Sequence, residues 1–378
     1  MSPIPGARYQ TLDAWRGVAC LWVLLFHASG EPGMWGHNAL LFVLNHGWAG
    51  VPIFFVISGY CISATLDGAL RSGHTWWSYW MRRIRRIFPP YWIALAAIVG
   101  VVALAQRLGH GDVFTHSLDG MAPIPAPGDV GLWRWIGSSL LVEGWRAHFI
   151  WRGGPGYYLP IAWSLGYEEQ FYIVAGLMLI LAGHRWRELA VVLTLGVIAC
   201  VILIPIEAMR GFWFDGRWLL FAYGIGVYAQ RTAEGWGRWI LPVGCIAGVA
   251  WGVSQPDFGP QSFSSEMVVA PVVALALALL HPHDHRIAPR MNWLSWCGVR
   301  CYSVYLLHWP IAKAFFWMFW TLGFRSAWTV LPLCIGFTML LTLLLSDLFY
   351  RYVELPCMAP KRSRDVAPVV TTTTVSAA

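Results

Sequence analysis

Long apolar stretches recur along the whole chain, and they constrain its fold more than any other feature. A helix that crosses a bilayer needs about 20 mostly apolar residues. Only 12% of the 378 residues are charged, whereas about 25% is typical of a soluble protein. The sequence therefore predicts an all-α fold, a polytopic membrane bundle of about ten transmembrane helices. The predicted spans are approximately residues 12–30, 48–66, 88–106, 161–182, 189–206, 217–230, 238–254, 266–281, 301–320 and 328–349.

The placement of basic residues predicts the orientation of this bundle. With the N-terminus inside, 18 of the 26 Lys and Arg residues fall on the cytoplasmic side, seven fall on the opposite side, and Lys313 lies within a span. Cytoplasmic loops of membrane proteins carry this excess. We therefore predict that both the N- and C-termini are cytoplasmic.

The longest segment between predicted spans, residues 107–160, is rich in Pro, Gly and Trp. A connection this long is usually functional or disordered, and its tryptophans favour a position at the membrane surface. Within it, Trp133–Val142 predicts a short amphipathic element that cannot span a bilayer. Residues 1–360 form the predicted transmembrane domain, and the polar residues 361–378 predict a disordered cytoplasmic tail.

Charge and cysteine content argue against two other classes of function. The net charge of +7 comes mostly from arginines between apolar runs, which predicts membrane anchoring rather than nucleic-acid binding. The eight cysteines are scattered and mostly lie in apolar segments. We therefore predict no metal site and no disulfide framework.

The first predicted span carries two basic residues, Arg16 and His27. Eleven helical positions return to nearly the same face and advance roughly 16 Å along the axis. An ionisable residue inside a membrane is costly and is by default a functional candidate. His27 is therefore a candidate general base. The alternative is a histidine that only hydrogen-bonds a neighbouring helix.

A second basic group, Arg82, Arg83, Arg85 and Arg86, directly precedes Pro89 and the third predicted span. Guanidinium groups can hold the phosphates of a cytoplasmic ligand. A lipid headgroup would satisfy the same chemistry, and plain membrane anchoring explains the same pattern.

Further polar residues lie in or next to predicted spans. Glu168 and Glu169 open the fourth span, where a carboxylate either caps the helix N-terminus or orients a histidine or a substrate hydroxyl. His308 lies inside the ninth span, shortly before a proline. Glu354 lies at the inner end of the last span beside Arg351, where a surface ion pair is the simpler interpretation.

Six segments, taken in order, resemble motifs of the acyltransferase-3 family of multi-pass membrane O-acyltransferases. They read "LDAWRGVACLWVLLFH", "VPIFFVISGYCIS", "RRIRRIFPPYW", "WSLGYEEQFY", "CYSVYLLHWP" and "RYVELP". The resemblance covers roughly residues 9–357, and it departs at Tyr60, where phenylalanine is commoner. We expect a stand-alone member, without the extracytoplasmic SGNH domain of longer members.

The resemblance implies an acyl-CoA donor on the cytoplasmic side, with no bound cofactor, and an acceptor hydroxyl on a sugar. It makes His27 the catalytic histidine and Arg16 its motif partner. The residues that it implies for donor binding are Arg82, Arg83, Arg86, Ser58 and Gly59. Supporting residues without an assigned role are Tyr60, Trp163, Ser164, Glu168, Glu169, His308 and Glu354.

The expected function is transfer of a short acyl group, with acetyl expected, from acyl-CoA to a surface or secreted bacterial polysaccharide or its lipid-linked precursor. The expected location is the bacterial inner (plasma) membrane. One alternative is an acyltransferase that acts on a lipid, an antibiotic or an amine. Another is a transporter of a glycan precursor, in which His27, His308 and Lys313 form a proton relay.

Overall fold

Helices make up the regular structure in a computed structural model that describes residues 9–30, 39–73, 75–115, 123–149, 156–204, 211 and 215–358. Nowhere in these ranges is there a β-strand, so the prediction of an all-α fold is confirmed. In chain order the helices are α1 (Leu12–Ala28), α2 (Ala39–Asn45), α3 (Gly50–Ser72), α4 (Trp76–Arg107), α5 (Asp112–Thr115), α6 (Leu132–Ser139), α7 (Glu143–Phe149), α8 (Trp163–Ala182), α9 (Trp186–Leu203), α10 (Trp218–Gln230), α11 (Ile240–Ser254), α12 (Phe263–Leu280), α13 (Asp284–Ile287), α14 (Asn292–Val299), α15 (Cys301–Thr321), α16 (Ala327–Phe349) and α17 (Leu355–Met358).

Each predicted span coincides with a helix, namely α1, α3, α4, α8 to α12, α15 or α16. Five helical stretches in the described ranges are long and apolar enough to cross a membrane. They are Ala39–Ser72, Trp76–Arg107, Pro160–Leu203, Phe263–Val299 and Ala327–Met358. The chain is therefore a membrane protein, whereas the count of ten crossings and the cytoplasmic termini stay predictions. The predicted tail, residues 361–378, lies outside the described residues.

Helix α4 begins twelve residues before its predicted start at residue 88. The Thr75 side chain accepts a hydrogen bond from the Ser78 backbone N–H and caps the helix there. The helix then continues through Pro89 and Pro90, which membrane helices tolerate better than soluble ones. The arginine group therefore lies within a continuous helix and not in a loop before it.

Two glycine contacts fix the helices at the centre of the bundle. A Cβ atom on Gly17 of α1 would lie 2.1 Å from the Leu294 carbonyl oxygen of α14. A Cβ atom on Gly59 of α3 would lie 2.1 Å from the Phe221 carbonyl oxygen of α10. Glycine thus allows the backbones to touch, as small residues do in membrane bundles.

We expect Gly59→Ala to destabilise the folded protein by about 1–3 kcal/mol, because the added methyl group meets backbone that cannot move independently. Gly68→Ala on the same helix is the matched control, since a Cβ atom there would meet nothing within 4 Å. Thermal unfolding in detergent, followed by tryptophan fluorescence, measures both variants. Equal unfolding midpoints for the two variants would contradict this close packing.

The segment between α4 and α8 is folded against these helices. The Tyr91 hydroxyl of α4 donates a hydrogen bond to the Ser138 carbonyl oxygen at 2.8 Å. Glu143 and Arg146 form a buried ion pair, with 2.6 Å between Arg146 Nη2 and Glu143 Oε1 and side-chain exposures of 1% and 2%. Helix α6 confirms the predicted short element, and its exposed Leu132 and Trp133 suit a membrane interface.

Candidate active site

A cavity of about 1030 Å³ lies between α1, α3, α4, α8, α10 and α15, and we call it the central cavity. Seven residues that the sequence singled out line it. They are Arg16, Ser58, Tyr60, Arg83, Arg86, Ser164 and Glu168. The cavity is at the upper end of the size range for ligand pockets, so it can hold a large small molecule.

The charges that line the central cavity are unbalanced. Six arginines, Arg16, Arg71, Arg83, Arg86, Arg187 and Arg231, face three carboxylates, Asp13, Asp67 and Glu168. The lining therefore carries a net charge of +3 with its histidine neutral. Clefts lined by one sign of charge concentrate ligands of the other sign, so this cavity favours an anion.

Three of these arginines, Arg16, Arg83 and Arg86, form a group that we call the inner cluster. Arg16 Nη1 donates to Asp13 Oδ1 at 2.8 Å. Arg83 Nη2 donates to Thr65 Oγ1 at 3.1 Å. Arg86, within the described ranges, has no hydrogen bond or ion pair to another side chain or carbonyl. A guanidinium group in that position is suited to bind an anionic ligand.

Glu168 connects two helices beside this cluster. Its Oε1 atom accepts a hydrogen bond from Ser58 Oγ at 3.0 Å and another from the Tyr172 hydroxyl. Of the two interpretations of this carboxylate, the one in which it caps the helix N-terminus is wrong, because α8 begins at Trp163 and has no acidic residue in its first turn. The carboxylate instead accepts hydrogen bonds within the cavity wall.

His27 and His308 lie together, although 281 positions separate them in the chain. Their ring centroids are 5.2 Å apart, and the His27 ring lies 4.5 Å from the ring of Trp309. We call His27 and His308 the histidine pair. His308 is 1% exposed, whereas His27 is half-buried. Helices α1 and α15, which carry them, pack directly against each other.

The hydrogen bonds of His308 define its tautomer. Its Nδ1 atom lies 2.8 Å from the Tyr305 carbonyl oxygen and 3.1 Å from that of Val304. Carbonyl oxygens only accept, so Nδ1 carries the proton and Nε2 of the neutral ring is an acceptor. This Nε2 atom and Trp309 Nε1 are buried and find no partner among the described residues. Unpaired buried polar atoms of this kind mark a place where a ligand or water is expected.

The histidine pair lies next to the inner end of the central cavity. Val23, one helical turn before His27, lines the cavity, and so does Tyr305, three residues before His308. The Ser164 and Tyr305 hydroxyl groups are 3.0 Å apart at the same end. A ligand that enters among the arginines thus extends toward the two histidines.

A family model described as an acyltransferase domain matches residues 9–347 of this chain. The chain belongs to the acyltransferase-3 family. The match covers every residue that lines the central cavity and the first five of the six motifs that carried the resemblance. No solved structure matches the chain.

Three relatives within this acyltransferase-3 family illustrate its range. "Putative peptidoglycan O-acetyltransferase YrhL" of Bacillus subtilis is 25% identical and "O-acetyltransferase OatA" of Staphylococcus aureus is 24% identical. "Putative membrane-bound transacylase BcsY" of Komagataeibacter xylinus is 28% identical. The matches cover 93%, 91% and 81% of this chain, respectively. The chain spans 54% of YrhL, 56% of OatA and 73% of BcsY.

Several predicted residues of this acyltransferase-3 chain lie away from the central cavity. Arg82 is exposed, and Gly59 lies at the contact with α10 instead of in the cavity lining. Trp163 packs against the Arg217 guanidinium group, 5.3 Å from the ring centroid to Cζ. Glu169 is half-buried and is not among the described residues that line the cavity.

The alternative interpretation of Glu354 as one half of a surface ion pair is wrong. Glu354 is 2% exposed and accepts a hydrogen bond from Ser303 Oγ at 2.7 Å. Arg351 pairs with Asp347 instead, one helical turn earlier, at 2.8 Å. Glu354 therefore ties the turn between α16 and α17 to α15 from within the bundle.

Other cavity residues were not expected to act at a site. Asp13, Cys61, Thr65 and Tyr172 contact the inner cluster, and Cys61 Sγ accepts a hydrogen bond from Arg16 Nη2 at 3.2 Å. Asp13, Cys61 and Tyr172 stand inside the quoted motifs, so their position there was the available signal. Arg71, Arg187 and Arg231 were interpreted only as cytoplasmic anchors.

Proposed function

We propose that the chain is a membrane O-acyltransferase that transfers an acetyl group from acetyl-CoA to a sugar hydroxyl. The acceptor that we propose is a bacterial surface or secreted polysaccharide or its lipid-linked precursor. The observation that carries the proposal is a cavity with an excess of arginine whose inner end lies beside the histidine pair. Membership in the acyltransferase-3 family supports the same reaction.

In the proposed binding mode the donor enters from the cytoplasm. The inner cluster holds phosphates of CoA through charge-assisted hydrogen bonds, with Arg86 as its uncommitted guanidinium group. The extended pantetheine arm then follows α1 from the level of Arg16 toward His27, roughly 16 Å along the helix axis. The enzyme lies in the bacterial inner membrane with both termini in the cytoplasm.

In the proposed chemical step His27 acts as general base. His27 is neutral at the start of this step, so one of its ring nitrogens can accept a proton, and the His308 ring lies beside it with 5.2 Å between the centroids. The acceptor hydroxyl oxygen attacks the thioester carbonyl carbon while His27 takes the hydroxyl proton. The tetrahedral intermediate collapses, the C–S bond breaks, and the His27 proton passes to the leaving thiolate. The products are the O-acetyl ester and CoA.

A proton relay through Lys313 has weaker support than this chemistry. Lys313 follows His308 by five residues on α15, and five helical positions turn the side chain by about 140°. The two side chains therefore leave the helix on different faces. A transporter that uses His27, His308 and Lys313 as a proton relay would therefore have to move the proton from one face of α15 to another.

We expect the purified protein with radiolabelled acetyl-CoA and a saccharide acceptor to release CoA and to label the acceptor. Free thiol is followed with a chromogenic reagent, and the acceptor is separated by chromatography. Matched reactions with a lipid and with an amine as acceptor identify the acceptor class. Movement of a saccharide across proteoliposomes without any thiol release would instead indicate a transporter and contradict the proposal.

A further inference from the structure

A second group of arginines lies at the solvent-exposed end of the central cavity, away from the histidine pair. Arg71 is in the last turn of α3, Arg187 in the first turn of α9, and Arg231 directly follows α10. All three line the cavity. Arg71 is exposed and the Arg187 side chain is 43% exposed, so this end opens to solvent. We call these three residues the mouth cluster.

The mouth cluster is separate from the inner cluster. Arg83 of the inner cluster donates to Thr65 on α3. Arg71 follows Thr65 by six residues on the same helix, which corresponds to about 9 Å along the axis. The cavity therefore offers two cationic sites at different depths, which suits a ligand with two separated phosphate groups better than a ligand with one.

Two members of the mouth cluster are held in place by neighbouring side chains. Arg187 Nη2 donates to Asp67 Oδ2 at 2.6 Å. The Tyr228 hydroxyl donates to the same carboxylate oxygen at 2.9 Å. Arg231 Nη1 donates to the Tyr60 hydroxyl at 2.9 Å. These contacts orient the guanidinium groups before a ligand arrives.

The charge of the mouth cluster is only partly compensated. Asp67 is the one carboxylate near it among the described residues that line the cavity. Arg71 has no hydrogen bond or ion pair within the described part of the chain. An exposed cation that lines a cavity beside two oriented ones is suited to bind a doubly charged phosphate monoester.

Tyr9 completes the wall at this end. Its hydroxyl donates to the Leu277 carbonyl oxygen at 2.9 Å, and its ring lies 4.7 Å from that of His281. Burial, together with the nearby Asp284 carboxylate, raises the pKa of the Tyr9 hydroxyl, so it remains a protonated donor. These contacts hold the Tyr9 side chain in place on this side of the mouth.

We infer that the mouth cluster binds the 3′-phosphate on the ribose of CoA and makes the enzyme prefer CoA thioesters to 3′-dephospho-CoA thioesters. The inference rests on the proposed function, because it assumes that the inner cluster binds the pyrophosphate of the same donor. A phospholipid headgroup carries related phosphate chemistry, and the experiment below separates the two sources.

The test compares acetyl-CoA with acetyl-3′-dephospho-CoA in steady-state assays of the wild-type protein, Arg71→Ala and Arg71→Lys. We expect the wild type to have a KM about tenfold lower for acetyl-CoA. Arg71→Ala should raise the KM for acetyl-CoA about tenfold and leave the value for the dephospho donor unchanged, with the same kcat. Arg71→Lys should recover part of the preference because it keeps the charge.

Arg185→Ala is the matched control at the same end of the bundle, since Arg185 is exposed and pairs with Glu188 on the surface. It should keep the full preference for acetyl-CoA. The assays are repeated in nanodiscs of phosphatidylcholine alone and of phosphatidylcholine with phosphatidylglycerol. An effect of Arg71→Ala that appears only with the anionic lipid would overturn the inference in favour of headgroup binding.

A binding measurement keeps the inference testable without turnover. We expect CoA to raise the thermal unfolding midpoint of the wild type more than 3′-dephospho-CoA does, and this difference should vanish in Arg71→Ala. Equal shifts by both compounds in the wild type would overturn the inference and leave the proposed function standing. If neither compound shifts the midpoint and neither thioester is consumed, the proposed function itself fails.

Discussion

His27→Ala should reduce acetyl transfer to background while the protein still folds and inserts into the membrane. A positioned general base contributes a factor of about 10² to 10⁴ to the rate of a proton-transfer step. Alanine removes the ring that lies 5.2 Å from that of His308 beside the inner end of the cavity. The measurement is release of CoA from acetyl-CoA in the presence of the saccharide acceptor.

The control for this prediction is His184→Ala, an exposed histidine in the turn between α8 and α9. It should keep wild-type activity, which shows that loss of a histidine alone is harmless. Size-exclusion chromatography and the unfolding midpoint report whether His27→Ala is folded. Full activity in a folded His27→Ala protein would show that His27 does not act in the chemical step. The unpaired Nε2 atom of His308 would then have no explanation.

Replacing Arg83 and Arg86 together with alanine should raise the KM for acetyl-CoA roughly 100-fold. Each hydrogen bond to a charged group is worth about 1.5 kcal/mol or more, and about 1.4 kcal/mol corresponds to a factor of ten. The value of kcat should change little, because both residues bind the donor far from the reacting carbonyl. Steady-state kinetics at saturating acceptor measure the two constants separately.

Single variants distinguish the two arginines. Arg86→Ala removes a guanidinium group with no described partner, so its effect reports donor binding directly. Arg83→Ala also removes the bond to Thr65 and the contact with the Tyr172 ring, 4.9 Å away. An unchanged KM in the double variant, with kcat also unchanged, would move the anion site elsewhere in the cavity.

The helices were predictable because hydropathy is a local property. An apolar stretch of about 20 residues predicts a helix even when the helices that pack against it are unknown. The predicted third span, residues 88–106, covered only the apolar part of α4, whereas the helix itself begins after its cap at Thr75 and includes the arginine group. Hydropathy therefore locates the membrane-embedded part of a helix and not its first residue.

The site was predictable only where a helical period or a motif placed residues together. The eleven-residue spacing predicted that Arg16 and His27 share one helix face, and of the two only Arg16 lines the cavity. Contacts such as Ser58 with Glu168, or His27 with His308, join residues 110 and 281 positions apart. Such pairs depend on how whole helices pack, and one sequence contains no periodicity that reveals them.

The buried pair of Glu143 and Arg146 has a consequence for how the protein responds to ionic strength. Salt screens charges that are in contact with solvent, and it acts only weakly on pairs excluded from it. The exposed pair of Arg185 and Glu188, with side-chain exposures of 79% and 62%, is open to this screening, whereas the pair in α7 is not. Concentrated salt that loosens the Arg185–Glu188 pair should therefore leave the Glu143–Arg146 pair, and with it the first turn of α7, intact.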